Sequence, residues 1–219
     1  MDLPQTLHSR LYLLAYDPKR HRFDVDSLRL FGFALRAAML TDLYLTGHLE
    51  DQEGRPVGCE CVARPDDPVL RAAFDEIGVN QRKGWAELIA TNSRDAPHAV
   101  RDQLKATGWL RAKQRQLLGI IPITRLGLYD EDTVSAWADR VTEALRRAID
   151  GRPADPEPLA TGLLAVLAQM PAVVSFNKSS KHRQELREMI FAAIAPILGL
   201  HQAIQRYHED VRANMASRG

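Results

Sequence analysis

Two cysteines stand one residue apart, as Cys59-x-Cys61, and they are the only two in the 219 residues. Alternate positions on a strand face the same way, so the pair supplies half of a tetrahedral thiolate site. No second cysteine pair or closely spaced histidine pair completes it, and the expectation is that the chain holds no metal. His201 and His208 lie two helical turns apart with Glu209 beside one of them, a spacing that solvated histidines on a polar helix face adopt by chance. Gly-x-Gly-x-x-Gly, the Walker phosphate loop and the Gly-x-Ser-x-Gly elbow are all absent, so nothing supports nucleotide-dependent or acyl-transfer chemistry. The expected protein is not an enzyme and uses no cofactor.

The charged residues are more informative. Residues 98–127 carry Arg101, Lys105, Arg111, Lys113, Arg115 and Arg125 against Asp102 alone, whereas residues 128–160 carry eight acidic and four basic residues. A second basic group lies at Lys19, Arg20, Arg22, Arg29 and Arg36, and a third at Lys178, Lys181, Arg183 and Arg187. Arginine outnumbers lysine 23 to 6, and a guanidinium grips phosphate with two parallel hydrogen bonds where an ammonium cannot. Three basic patches on a nearly neutral chain point to an anionic partner, with solvated faces as the plainer reading of such runs.

Next to the 98–127 block, residues 117–123 read as one strand that is apolar on both sides, with Leu117, Ile121 and Ile123 on one face and Leu118, Ile120 and Pro122 on the other. Such a strand needs two covers. The second is part of this chain, a second copy, or lipid, and each such side chain contributes roughly 1.5–3 kcal/mol on burial. Leu117, Ile121 and Ile123 are therefore candidate residues for homo-oligomerisation.

The elements that position these groups are mostly helices. Residues 7–16 read as a short helix ended by the basic turn Asp17-Pro18-Lys19-Arg20-His21-Arg22. Asp26 or Ser27 caps a long helix whose stripe is Leu28, Phe31, Leu35, Met39 and Leu43, ending before Gly47. Two short strands at 48–50 and 57–62 flank a polar turn at 51–56. Helices follow from 66, around Trp85, and over 97–107, and then Gly108 leads to a second hairpin with its polar turn at 112–116. Asp130-Glu131-Asp132 opens an amphipathic helix with Val134, Trp137, Val141, Leu145 and Ile149 on one face. Residues 159–170 are apolar nearly all round and mark a central buried helix. A helix from 179 to 194 is restarted by Pro196 as the terminal helix.

Composition fits that outline. With 45% hydrophobic residues the chain has material for one core, and residues 1–219 are expected to form one mainly α domain with two short β-hairpins. A formal net charge of +1 excludes the uniform basic coat of a chain wrapped in nucleic acid. Two cysteines exclude a disulfide scaffold, and Met1-Asp2-Leu3-Pro4 has no basic n-region of a signal peptide. The apolar runs at 159–176 and 189–200 are broken by Thr161, Gln169, Pro171 and Pro196 before they can span a bilayer. The expected location is cytoplasmic, with any membrane met from the side.

The order of parts carries a resemblance. Leu11-Tyr12-Leu13-Leu14-Ala15-Tyr16-Asp17 comes first, then Leu35-Arg36-Ala37-Ala38-Met39-Leu40-Thr41-Asp42-Leu43 closing on Gly47-His48-Leu49. The Trp85 helix, Gly108-Trp109-Leu110 with its hairpin, the acidic-start helix at 130–149 and the apolar 159–176 segment follow. Over roughly residues 7–198 this resembles the Golgi phosphoprotein 3 family, as a bacterial-type member to which Golgi trafficking does not transfer. The resemblance implies an apolar central helical bundle ringed by amphipathic helices, with a protruding hairpin used in self-association. It also implies a peripheral membrane protein whose basic pocket binds phosphatidylinositol 4-phosphate. Arg36 matches the family's arginine in Leu-Arg-x-x-Met-Leu, while Ser27 stands where the family has a membrane-facing tryptophan. Two further family arginines, counted back from Gly108, fall on Arg94 and Pro97, so one is retained.

These readings converge on a protein that binds an anionic phospholipid headgroup at a membrane surface through Arg36, Arg29, Arg22 and Arg94. Arg29 precedes Arg36 by almost two turns, and Arg22 lies in the loop before that helix. Two rivals stand beside it. The twice-repeated helix, glycine, hairpin order is also how a winged helix is built, although no helix here carries the Arg, Asn and Gln cluster that reads base edges, so nucleic acid is not the expected partner. The other rival is a soluble helical scaffold that binds protein through the second hairpin.

Overall fold

The computed structural model describes residues 2–17, 20, 22–25, 27–59, 62–79, 82–117, 121–178 and 180–217, without the side chains of 79, 112–117, 121–125, 177, 178 and 180. Ten α-helices and three separate two-stranded antiparallel ribbons make up the described residues, the mainly α fold that the apolar periodicity calls for.

Helix α1 (Leu7–Leu14) leads into a small ribbon, β1 (Tyr16–Asp17) and β2 (Arg22–Phe23), where the sequence suggests only a turn. Helix α2 (Leu28–Leu45) starts at Ser27, whose hydroxyl accepts from the Leu30 amide at 3.3 Å. Every residue from Leu30 to Leu43 is buried, so α2 is more than the one-striped helix of the sequence reading. Leu28, the first residue of the expected stripe, is 72% exposed, because it precedes the point where neighbouring helices close over α2. Helices α1, α3 (Pro68–Val79), α4 (Trp85–Ala90), α5 (Ala96–Ala106), α7 (Pro156–Leu167) and α10 (Ala195–Ala216) all pack on α2. The centre of the bundle is therefore shared between α2 and the apolar α7. Small residues let neighbours come close: a Cβ on Gly32 would stand 2.0 Å from the Ser93 carbonyl oxygen in the α4–α5 connection.

Helices α2 and α5 stop in the same way. Thr46 and Thr107 return their hydroxyls to the carbonyls of Asp42 (2.7 Å) and Gln103 (3.0 Å), and Gly47 and Gly108 follow at φ +76° and +81°. After Gly47 the His48 amide bonds Leu43 O at 2.9 Å, closing a Schellman turn that only a residue free to adopt positive φ completes without strain. A ribbon comes after each stop. Strands β3 (Leu49–Gln52) and β4 (Arg55–Gly58) form the first, pinned by Asp51, whose carboxylate accepts from Trp85 Nε1 at 2.5 Å.

Strands β5 (Leu110–Leu117) and β6 (Ile121–Leu128) form the second and correct the sequence reading. Residues 112–116, expected as a polar turn, lie within β5 in an unbroken ladder from Leu110↔Leu128 to Leu117↔Ile121. Pairing of eight consecutive positions overrides local polarity, and Leu117 and Ile121 stand opposite each other on two strands instead of following in one, while Leu118 and Ile120 lie outside the described residues. The Leu117, Ile121 and Ile123 side chains lie outside the described residues; by register Leu117 pairs with Ile121, and Ile123 with Arg115. The root of the ribbon is firmly seated, since Trp109, Leu110 and Leu128 are buried.

Helix α6 (Glu131–Ile149) buries the whole expected stripe of Val134, Trp137, Val141, Leu145 and Ile149. Asp130 caps it, accepting from the Thr133 amide at 3.0 Å. Helix α8 (Val174–Lys178) occupies the end of the 159–176 run, and α9 (Ser180–Phe191) and α10 confirm the restart at Pro196.

Candidate functional site

Arg36 is the only arginine of the anticipated set in the interior, with its side chain 5% exposed. Its Nη2 donates to Glu76 Oε2 on α3 at 2.9 Å and to the Leu88 carbonyl on α4 at 3.4 Å. Burial lowers the Arg36 pKa, and the Glu76 carboxylate opposes that fall by attracting and hydrogen bonding the cation. The acid partner of Arg36 is thus Glu76. Breaking such a pair from one side leaves an uncompensated interior charge, at a cost of about 3–5 kcal/mol.

A cleft of about 550 Å³ opens beside this pair, floored by Met39, Val69 and Ala73. Its charged lining is Arg36 against Asp75, Glu76 and Asp95. One guanidinium facing three carboxylates leaves no net positive field for a phosphate.

None of the other three arginines lines this cleft, although Asn92 and Asp95, on either side of Arg94, do. Arg29 lies over the rings of Phe33 (5.0 Å) and Tyr207 (5.9 Å) and clamps α2 to α10. Arg22 is half exposed on β2, 3.6 Å from Asp24, which also holds Arg20 at 2.6 Å. Arg94 is exposed in the α4–α5 connection and has no ion-pair partner among the described residues. Equal phase along α2 does not give Arg29 and Arg36 the same surroundings, because α10 covers the turn of Arg29 while α3 and α4 cover that of Arg36. Near Arg22 a second cleft of about 550 Å³, between α1, the β1–β2 ribbon and α6, is lined by Asp17, Asp24, Glu131 and Asp139. It too is acidic.

Cation density rises instead along the β5–β6 ribbon. In its register Lys113 pairs with Arg125, Arg111 with Gly127 and Arg115 with Ile123, and the ladder ends at Leu117↔Ile121. These alternate positions form one set, with four basic residues along the stem and apolar ones at the free end. At the root, Arg111 lies over the Tyr129 ring at 4.0 Å. Lys105 and Arg101 on α5 share Asp102, at 3.3 and 3.1 Å.

Cys59 is half-buried beside a cleft lined by Phe74 and Arg64, and Cys61 lies outside the described residues. His201 departs from the solvated reading: it packs edge-on against Phe191 at 5.4 Å, and burial followed by nearby Arg187 lowers its pKa. Among the described residues no group of histidine, cysteine and acidic side chains is arranged to hold a metal ion, and no single helix is long and apolar enough to cross a membrane.

Glu76, which reasoning from sequence passed over, had a readable signal. It follows Ala73 by three positions and precedes Ile77, so a charge stands on the buried stripe of α3. A search of curated proteins gives no match. Residues 7–206 match the model of Golgi phosphoprotein 3 (GPP34), and the chain belongs to that family.

Proposed function

We propose that this chain is a non-enzymatic peripheral membrane protein that docks reversibly on anionic phospholipid headgroups, with the β5–β6 ribbon as its contact. The observation that carries this reading is the register of the ribbon, which gathers Arg111, Lys113, Arg115 and Arg125 into one set of positions ending at Leu117↔Ile121. Each basic residue near an anionic leaflet contributes about 1 kcal/mol and apolar residues beyond them add burial. Four such residues give weak, salt-sensitive docking that self-association would strengthen through avidity. Family membership supports membrane association in the same direction. The Arg36 cleft has the opposite charge balance, so phosphatidylinositol 4-phosphate recognition there requires a headgroup to displace Glu76.

Co-sedimentation with phosphatidylcholine vesicles, with and without phosphatidylserine or phosphatidylinositol 4-phosphate, tests the reading at two salt concentrations beside a duplex DNA titration. Binding to both anionic vesicles, weakened by salt, supports docking by charge. Binding only to the phosphoinositide moves the contact back to a built pocket. DNA binding without vesicle binding replaces the proposal with the nucleic-acid reading. Homo-oligomerisation through Leu117, Ile121 and Ile123 is part of the proposal: Ile121→Asp lowers the mass in solution at constant fold if the ribbon's end joins copies, and an unchanged mass removes that part.

A further inference from the structure

The cleft between α1, the β1–β2 ribbon and α6 has no role in the docking reading, yet its lining has a definite chemistry. Leu14, Val134, Ala138 and Pro171 make much of its floor apolar. Asp17 and Asp24 from the β1–β2 ribbon, with Glu131 and Asp139 from α6, give it four carboxylates, and no basic residue belongs to the lining. Outside the cleft Arg20 pairs with Asp24 at 2.6 Å and lies 3.7 Å from Asp17. On the α6 side, Glu131 accepts from the Tyr16 hydroxyl at 2.9 Å. Asp139 is exposed and has no ion-pair partner among the described residues. An apolar floor under an acidic rim suits a segment that carries a cation beside apolar side chains.

Such a segment stands on the same chain. At the far end of the β5–β6 ladder Arg115 pairs with Ile123 and Leu117 with Ile121, in one set of alternate positions. That end therefore combines three apolar residues with one guanidinium. The ribbon cannot reach the cleft of its own chain. Strand β6 packs beside β2, and Asp24, the residue after β2, lines the cleft, so the cleft lies at the root of the ribbon. Eight paired positions at about 3.4 Å per residue carry the end of the ribbon roughly 24 Å from that root. An unbroken ladder does not turn back on itself.

We infer that the acidic cleft is the seat for the ribbon end of a second copy of this chain. The inference rests on the reading that the ribbon's end joins copies, and it names the surface that receives it. Because the seat is at the root and the plug is one ribbon length away, two copies with antiparallel ribbons bring each end to the other's cleft. Both seats fill together, and the exchange closes a two-fold pair. The apolar end is covered in solution, while the stem positions of Arg111, Lys113 and Arg125 in both copies remain for the leaflet.

The mass of the full chain in solution, measured by light scattering without lipid, tests this. The native chain should have twice the monomer mass at low salt and shift toward monomer as salt rises. Arg115→Glu as one variant, and Asp139→Lys with Thr142→Lys on the cleft side of α6 as the other, should each raise the dissociation constant about tenfold or more at an unchanged melting temperature. Mixing the two variants should restore the pair, since each cleft then meets a ribbon end of opposite charge. A native chain that stays monomeric up to about 0.1 mM overturns the inference and leaves the cleft to a basic segment of another protein. Failure to recover on mixing also overturns it. If Ile121→Asp lowers the mass while the cleft variant keeps it, the ribbon's end still joins copies and only the cleft is removed as its seat; if both keep the native mass, self-association through the ribbon falls as well.

Discussion

Arg36 and the stem of the β5–β6 ribbon present arginine in opposite settings. Arg36 is enclosed by three helices, and its charge is spent on Glu76 at 2.9 Å. Arg111, at the root of the ribbon, is exposed and lies over an aromatic ring, and the positions beyond it repeat basic residues without an acidic residue in either strand. A cation in the interior is recruited by the fold, whereas Arg111 at the root of the ribbon stays exposed beside its aromatic ring. Residue type and phase alone do not separate these cases; the neighbours do.

The largest expected effect comes from unbalancing the interior pair. Glu76→Leu strands the Arg36 charge and should cost about 3–5 kcal/mol in urea unfolding, whereas Arg36→Met with Glu76→Leu should recover most of it. Equal losses in single and double variants would show that the pair is not what holds α3 to α2. Next, Gly32→Ala drives a methyl against the Ser93 carbonyl oxygen and should cost about 1–3 kcal/mol; an unchanged melt would mean that the α4–α5 connection yields freely. A smaller effect concerns the α6 cap. The hydrogen bond from the Thr133 amide, the largest influence on it, holds the Asp130 carboxyl below the usual carboxylate range. A depressed acid contributes stability that is present above its unfolded value and is lost as pH falls through its folded value. Asp130→Asn should therefore reduce the steepness of acid unfolding below about pH 4 and change little at neutrality.

Much of the architecture was legible because apolar periodicity reports burial directly. The stripe from Val134 to Ile149, the Ser27 cap, the stops at Gly47 and Gly108 and the restart at Pro196 all stand where their residue types place them. The candidate site was less legible because its contacts are long-range. Arg36 meets Glu76 across 40 residues and His8 meets Gln103 across 95, distances over which no local pattern specifies a partner. The ribbon misled for a different reason: Lys113, Gln114 and Arg115 look like turn residues, yet cross-strand pairing with residues 123–125 decides their state. One signal was available throughout. His8, Asp42 and Glu76 are each charged or ionisable residues on an otherwise apolar stripe, the mark of a buried polar contact.

The central claim is that the ribbon, and not the Arg36 cleft, meets the membrane. Co-sedimentation with phosphatidylserine-containing vesicles tests it most directly, comparing Lys113→Glu with Arg125→Glu as one double variant and Arg36→Met with Glu76→Leu as the other. Reversing two ribbon charges should leave stability within about 0.5 kcal/mol and weaken vesicle binding by about tenfold or more, while removal of the interior pair leaves binding intact. Retained binding in the ribbon variant together with lost binding in a folded Arg36 variant would contradict the account.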